Sequence, residues 1–173
     1  LPDNKNRIGE GGLRMQGLFR KSFKNKPLIS VVTIVYNGET YLEQTILSVL
    51  NQTYDNIEYI IIDGGSTDAT REIIKKYEDK IDYWVSEKDK GIYDAFNKGI
   101  NLTTGLYVGL LNADDYYDLN TIKTVVQEYN SFPQGDIFYG DMYLFNEKYD
   151  RKKRMNALSL AYLDRDICVN HPT

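Results

Sequence analysis

Two stretches decide the fold: "LISVVTIVYNG", residues 28–38, and "IEYIIIDGGSTD", residues 57–68. Each is a short, continuous, β-branched apolar run that stops at a glycine-containing polar turn. Continuous rather than alternating hydrophobicity is the signature of a strand buried on both faces, as in a parallel sheet. The segments that follow change period. In "TYLEQTILSVLNQ", residues 40–52, Leu42, Ile46, Val49 and Leu50 form a helical stripe, and Thr40 with Glu43 predicts a capping box. In "DATREIIKKYEDK", residues 68–80, Asp68 is the expected N-cap of a second helix.

The alternation continues outward. "IDYWVSE" (81–87) reads as a shorter strand. In "KGIYDAFNKGINLTT" (90–104), Ile92, Ala95, Phe96, Gly99 and Ile100 fall on one helical face. "LYVGLLN" (106–112) is a fourth strand, Asp118 caps a helix carrying Leu119, Ile122, Val125, Val126 and Tyr129, and "DIFYGDMYLF" (136–145) is a fifth strand. Strands and helices in this order predict an α/β fold with a mostly parallel sheet covered by helices on both faces. Residues 1–26, polar, basic and glycine-containing, read as an N-terminal arm or loop, leaving 27–173 as the domain.

Bulk properties narrow the function. The 173 residues are 42% hydrophobic and 27% charged, with a net charge of −4, which argues against nucleic acid as a partner. No apolar run approaches the roughly 20 residues that cross a bilayer, and no signal-peptide pattern opens the chain. Cys168 is the only cysteine and His171 the only histidine, so a metal here needs oxygen ligands, which suits Mg²⁺ or Mn²⁺. The lone cysteine fits a reducing, cytoplasmic setting.

In open parallel sheets ligands bind beyond the carboxyl ends of the strands. The expected strand tips are Tyr36-Asn37-Gly38, Asp63-Gly64-Gly65-Ser66, Ser86-Glu87 and Asn112-Ala113-Asp114-Asp115, all polar. Two adjacent carboxylates repel each other and are costly to desolvate. A divalent cation shared with substrate phosphates answers that cost at Asp114-Asp115. Neither a G-x-x-x-x-G-K-[ST] loop nor a G-x-G-x-x-G follows the first strand.

The Tyr-Asn strand end, the D-G-G-S-T-D turn, the N-K-G-I helix and the N-A-D-D strand end come in an order that resembles family 2 glycosyltransferases of the GT-A fold, over about residues 28–145. Within that family the chain is similar to bacterial enzymes of capsule, exopolysaccharide and lipopolysaccharide synthesis. The resemblance implies an inverting, hexosyltransferase-type transfer from a nucleotide sugar, usually a UDP-sugar, to a saccharide or lipid-linked acceptor. It implies Mn²⁺ or Mg²⁺ as cofactor and is compatible with peripheral association at the inner face of the membrane. By the same resemblance Asp63 accepts a hydrogen bond from the base, Tyr36 flanks the base, and Asn37 belongs to the same donor-binding strand end. Asp94 and Asn97 line the donor pocket, although Asp94 also stands at i, i+4 from Lys98 and could simply pair with it. Asn112 stands at the first D-x-D position, where it can bond a ribose hydroxyl; Asp114 binds the metal and Asp115 assists. The family's catalytic base comes from a later acidic motif, expected past Thr173, so the domain is expected to be truncated on its acceptor side. His171-Pro172-Thr173 resembles the beginning of the acceptor segment, and Asp141 is the in-chain acid on that side. The alternatives are a nucleotide- or sugar-binding module without turnover and a nucleotidyltransferase, which would be expected to carry a basic, glycine-rich phosphate loop.

Overall fold

The structure, a computed structural model, describes residues 5, 7–146 and 151–157. The chain divides into two compact units, Leu1–Gln127 and Glu128–Thr173. The first is built on a five-stranded sheet in the order β1-β4-β3-β2-β5. Its strands are β1 (Arg7–Gly11), β2 (Ile29–Val35), β3 (Ile57–Asp63), β4 (Tyr83–Glu87) and β5 (Tyr107–Asn112). The last four run parallel, and β1 pairs antiparallel with β4.

Every residue of β2 and β3 is buried, as their unbroken hydrophobicity predicts. Alternate side chains feed two cores. Ile29, Val31, Val35, Tyr59 and Ile61 pack with Leu42, Ile46 and Val49 of α1 (Leu42–Leu50), Ile74 of α2 (Thr70–Lys76), and Ile122 and Val126 of α4 (Thr121–Ser131). Val32, Ile34, Ile60, Ile62 and Val85 pack with Ala95 and Phe96 of α3 (Ile92–Ile100). The chain therefore winds β2, β3, β4 outward over one face, then crosses the other face through α3 to set β5 on the far side of β2. The strand order reverses at β2, and that is where such sheets bind ligands.

Gly99 lets α3 lie directly on the sheet: a Cβ there would drive into Val32 Cγ1 and crowd Ile62 Cγ1. This packing, rather than a ligand contact, accounts for the glycine of the N-K-G-I segment. Ile92 and Ile100, expected on the same buried face, are exposed at the two ends of the helix.

Several expectations are corrected. The lead-in expected as an arm contributes β1 and a 3-10 turn, Leu13–Gln16. Gly9 and Gly11 leave room for the Trp84 indole, which is why so glycine-rich a stretch can be a strand. The same segment answers two buried acids. Arg14 pairs with Glu58, which also accepts from Ser30 Oγ (2.5 Å) and the Thr104 N–H (2.8 Å). Arg20 Nε lies 2.9 and 3.0 Å from the two Asp82 oxygens. Unlike β2 and β3, β5 is an edge strand, and its Val108 and Leu110 stay exposed on the α3 side. The capping box does not form. Tyr41 is the N-cap residue of α1 and its side chain does not cap the helix, and Glu43 reaches across to Lys76 Nζ and Tyr77 Oη, both at 2.6 Å. Asp68 and Asp118 each cap a turn just ahead of their helices, accepting from the N–H groups of Thr70 and Asn120.

In the second unit the expected fifth strand is shorter and belongs to a separate sheet. β6 (Met142–Asn146) pairs antiparallel with β7 (Arg151–Met155) as a hairpin. Cys168 and His171-Pro172-Thr173 lie outside the described residues.

Gly99→Ala should destabilise the first unit by about 1–3 kcal/mol, the usual cost of overpacking, read as a lower urea midpoint at unchanged slope. A second expectation concerns acid. Burial pushes the Glu58 carboxyl up, but the bonds from Ser30 and Thr104 and the Arg14 charge outweigh it and hold it below the ordinary value of 4.5. A carboxylate lowered on folding stabilises above its unfolded pKa, and the contribution is lost as pH falls through the folded value. Urea titrations stepped downward from pH 5 should therefore show a shallower loss of stability in Glu58→Gln than in the parent chain.

Candidate donor-binding site

The carboxyl ends of β4, β3, β2 and β5 stand side by side, so the four polar tips form one row: Ser86-Glu87, Asp63, Tyr36-Asn37, Asn112 to Asp115. The middle of the row is held together by its own side chains. Asn37 adopts a left-handed conformation (φ 50°), and its Oδ1 accepts from the Thr67 N–H at 2.9 Å. Its N–H donates to Ser66 Oγ at 2.8 Å, and the Gly38 N–H donates to Thr70 Oγ1 at 2.9 Å. Asp68 Oδ2 accepts from the Glu39 N–H, and Glu39 Oε2 accepts from the Ala69 N–H. The Y-N-G-E and G-S-T-D-A-T turns thus satisfy each other's backbone. Their residue types follow from that exchange before any ligand is considered.

Asp63 lies where its strand places it, but it is turned inward. It has no exposed surface, accepts from Ser66 Oγ and Ser86 Oγ at 2.5 Å each, and also accepts from the Ser66 N–H. This corrects the expectation that it meets the base: a carboxylate at 0% exposure, bonded on both oxygens from within, ties β3 to β4 and to its own turn. Tyr36 is 66% exposed at the end of β2, free to flank a ligand.

At the end of β5, Asn112 Nδ2 donates to Asp115 Oδ2 at 3.2 Å, and the Asp115 N–H donates to the Asn112 carbonyl. Desolvation first, and then the Asp114 charge, raises the Asp115 carboxyl above the ordinary range, against the Asn112 bond. Asp114 is exposed and accepts no hydrogen bond from the described residues. The loop is fixed by α1, a role not foreseen from sequence. Thr45 Oγ1 lies 2.7 and 2.8 Å from the carbonyls of Ala113 and Asp115, Ser48 Oγ accepts from the Tyr117 N–H, and Gln52, just past the end of α1, bridges the Asp118 carbonyl and the Ile122 N–H. The signal was present as a polar line, Thr45, Ser48, Gln52, running beside the apolar stripe of α1.

Among the described residues no group of three or more His, Cys, Asp or Glu could hold a metal ion alone. What Asp114, Asp115 and Asn112 offer suits a small hard cation that takes one or two carboxylates and completes its shell with phosphate oxygens and water.

The remaining expected residues divide. Asp94 Oδ2 accepts from the Lys90 N–H at 3.1 Å and pairs with Lys98 at 3.5 Å. The Lys90 N–H, then the Lys98 charge, hold its carboxyl low against desolvation. Lys98 also meets Glu87 Oε1 at 3.0 Å, so Asp94 belongs to a charge network at the start of α3. Asn97 is exposed. In the second unit, Asp141 accepts from the Ala157 N–H at 2.7 Å and pairs with Arg154, which hold its carboxyl below the ordinary range. A general base works best with a pKa near the working pH, so this arrangement suits a hairpin lock better than a base.

Comparison with known proteins agrees with this geometry. Residues 30–170 match the family described as glycosyl transferase family 2, and the chain belongs to it. Glycosyltransferase GlyA of Streptococcus pneumoniae is 35% identical over 122 residues, 69% of this chain and 17% of that protein. The crystal structure of S. aureus TarS in complex with UDP-GlcNAc superposes with a TM-score of 0.56 at 25% identity, over 60% of this chain and 31% of that one. The mannosyltransferase PcManGT from Pyrobaculum calidifontis, in complex with GDP-Man and Mn²⁺, gives 0.57 at 22% identity, over 72% and 37%. The fold is GT-A, and the chain spans well under two thirds of each of these relatives.

Thr45→Val keeps the shape of the side chain and removes the hydroxyl shared by two loop carbonyls. It should cost about 1 kcal/mol and speed hydrogen exchange at the Asp115 amide while leaving the β3 amides protected.

Proposed function

We propose that this chain forms the donor side of an inverting glycosyltransferase, which moves a sugar from a UDP-sugar to a saccharide or lipid-linked acceptor in surface polysaccharide synthesis. The observation that carries the reading is the juxtaposition, at the strand-order reversal, of an exposed Tyr36 just past β2 with Asn112 at the end of the neighbouring β5 and Asp114 and Asp115 in the loop after it. One tip offers an aromatic face for a base; the other offers oxygen ligands beside it. The likeness to a TarS complex holding UDP-GlcNAc and to a PcManGT complex holding Mn²⁺ supports the same division of labour.

Asp114 and Asp115 would hold Mn²⁺ or Mg²⁺, a cation that offsets the negative charge gathering on a departing diphosphate. Asn112, bonded to Asp115 through its amide nitrogen, keeps its Oδ1 for a ribose hydroxyl. Asn97 borders the donor from α3. Thr45 and Ser48 keep the loop in place before the donor arrives, so its ordering cost is met during folding. A lipid-linked acceptor would bring the enzyme to the inner face of the membrane from the cytoplasm. No described helix is long and apolar enough to cross it.

Binding is the appropriate readout. Calorimetry should show UDP affinity rising when Mn²⁺ is added, and Asp114→Ala should abolish the rise without lowering the melting temperature, since Asp114 supports no described hydrogen bond. Metal-dependent UDP binding that survives Asp114→Ala would sink the proposal.

A further inference from the structure

Recognition of a uracil requires an acceptor for its imide N–H, and Asp63 is closed to that role, with no surface and both oxygens held by Ser66 and Ser86. The residue after it is Gly64. Its backbone is not in the left-handed region, so nothing in its conformation demands glycine. What demands it is space: a Cβ at Gly64 would lie 2.6 Å from Asp89 Oδ2 and 3.2 Å from Asp89 Cγ. The carboxylate of Asp89, arriving from the loop after β4, occupies the room that a side chain at Gly64 would fill.

Asp89 is oriented, and only half used. Its Oδ1 accepts from the Gly91 N–H at 2.8 Å, an arrangement made by the left-handed turn at Gly91 (φ 109°). Its Oδ2 accepts no hydrogen bond from the described residues. On the other side, the Gly64 N–H donates to the carbonyl of Val35 at 2.9 Å, one residue before the exposed Tyr36. An anchored carboxylate from the loop after β4 therefore covers one bare glycine, whose N–H is tied to the strand end that leads into the exposed Tyr36.

We propose that Asp89 is the base-recognising residue of the donor site: its Oδ2, placed over Gly64, accepts the imide N–H of a uracil flanked by Tyr36. This deepens the donor reading above and rests on it. Capping the turn into α3 needs only Oδ1, so it leaves the position of Oδ2 and the missing side chain at residue 64 unaccounted for.

The test compares the affinities of UDP, 3-methyl-UDP and CDP by calorimetry in the presence of Mn²⁺. The parent chain should prefer UDP to its 3-methyl analogue by about ten- to a hundredfold, the range of one charge-assisted hydrogen bond. Asp89→Ala should weaken UDP by a similar factor and bind the two alike. Asp89→Asn, which keeps an oxygen for the Gly91 N–H, presents an amide N–H₂ in place of Oδ2. It should shift preference from UDP toward CDP, whose ring N3 accepts. Gly64→Asp added to Asp89→Ala should restore the UDP preference, because the new carboxylate enters the vacated space. An unchanged UDP to 3-methyl-UDP ratio in Asp89→Ala, or, if that variant fails to fold, an unchanged UDP to CDP ratio in Asp89→Asn, overturns the assignment and leaves the donor reading standing. Failure of the parent chain to bind any of the three nucleotides overturns both.

Discussion

Two carboxylates buried on one central strand set the terms for the rest of the first unit. β3 carries Glu58 near its beginning and Asp63 at its end, at 2% and 0% exposure, with sheet neighbours on both sides. An unpaired buried charge costs far more than the fold's margin of stability, so each must be answered by specific partners. Glu58 recruits Arg14 from the N-terminal segment, Ser30 from β2 and Thr104 from the turn into β5. Asp63 recruits Ser66 and Ser86 and so joins the β3 turn to the β4 tip. The first set closes the base of the sheet, and the second organises the ligand end.

That organisation explains the character of the strand tips. The turns after β2 and β3 exchange hydrogen bonds through Asn37, Ser66, Asp68 and Thr70, while α1 and the residues just past it hold the loop after β5 through Thr45, Ser48 and Gln52. Many of the polar residues that look like ligand contacts in sequence are therefore the frame. Tyr36, Asp114, Asn97 and one oxygen of Asp89 stand outside that frame, and the proposed donor reading draws on them. A rigid frame carrying a few open polar groups is how binding sites keep ordering costs low.

The same distinction separates what was legible in the sequence from what was not. The alternation of buried strands and amphipathic helices, and the placing of polar residues at strand ends, follow from hydrophobic periodicity and turn chemistry, which are local. Both therefore survive into the structure. The errors came from non-local partners. Gly9 and Gly11 looked like loop residues because the Trp84 indole that needs their bareness lies more than seventy positions away. Glu43 looked like half of a capping box because Lys76 and Tyr77 are invisible from within α1.

By itself the sequence determined the α/β class, the parallel strands and the family, because continuous apolar runs ended by polar turns have few other stable arrangements. Tertiary structure alone decided which carboxylates are structural and which are open. Asp63, Asp114 and Asp89 are the same side chain in sequence. Burial between Ser66 and Ser86 closes the first, the exposed end of an edge strand leaves the second bare, and the space over Gly64 receives the third. A carboxylate's role is set by what surrounds its two oxygens, and those surroundings come from segments far away along the chain.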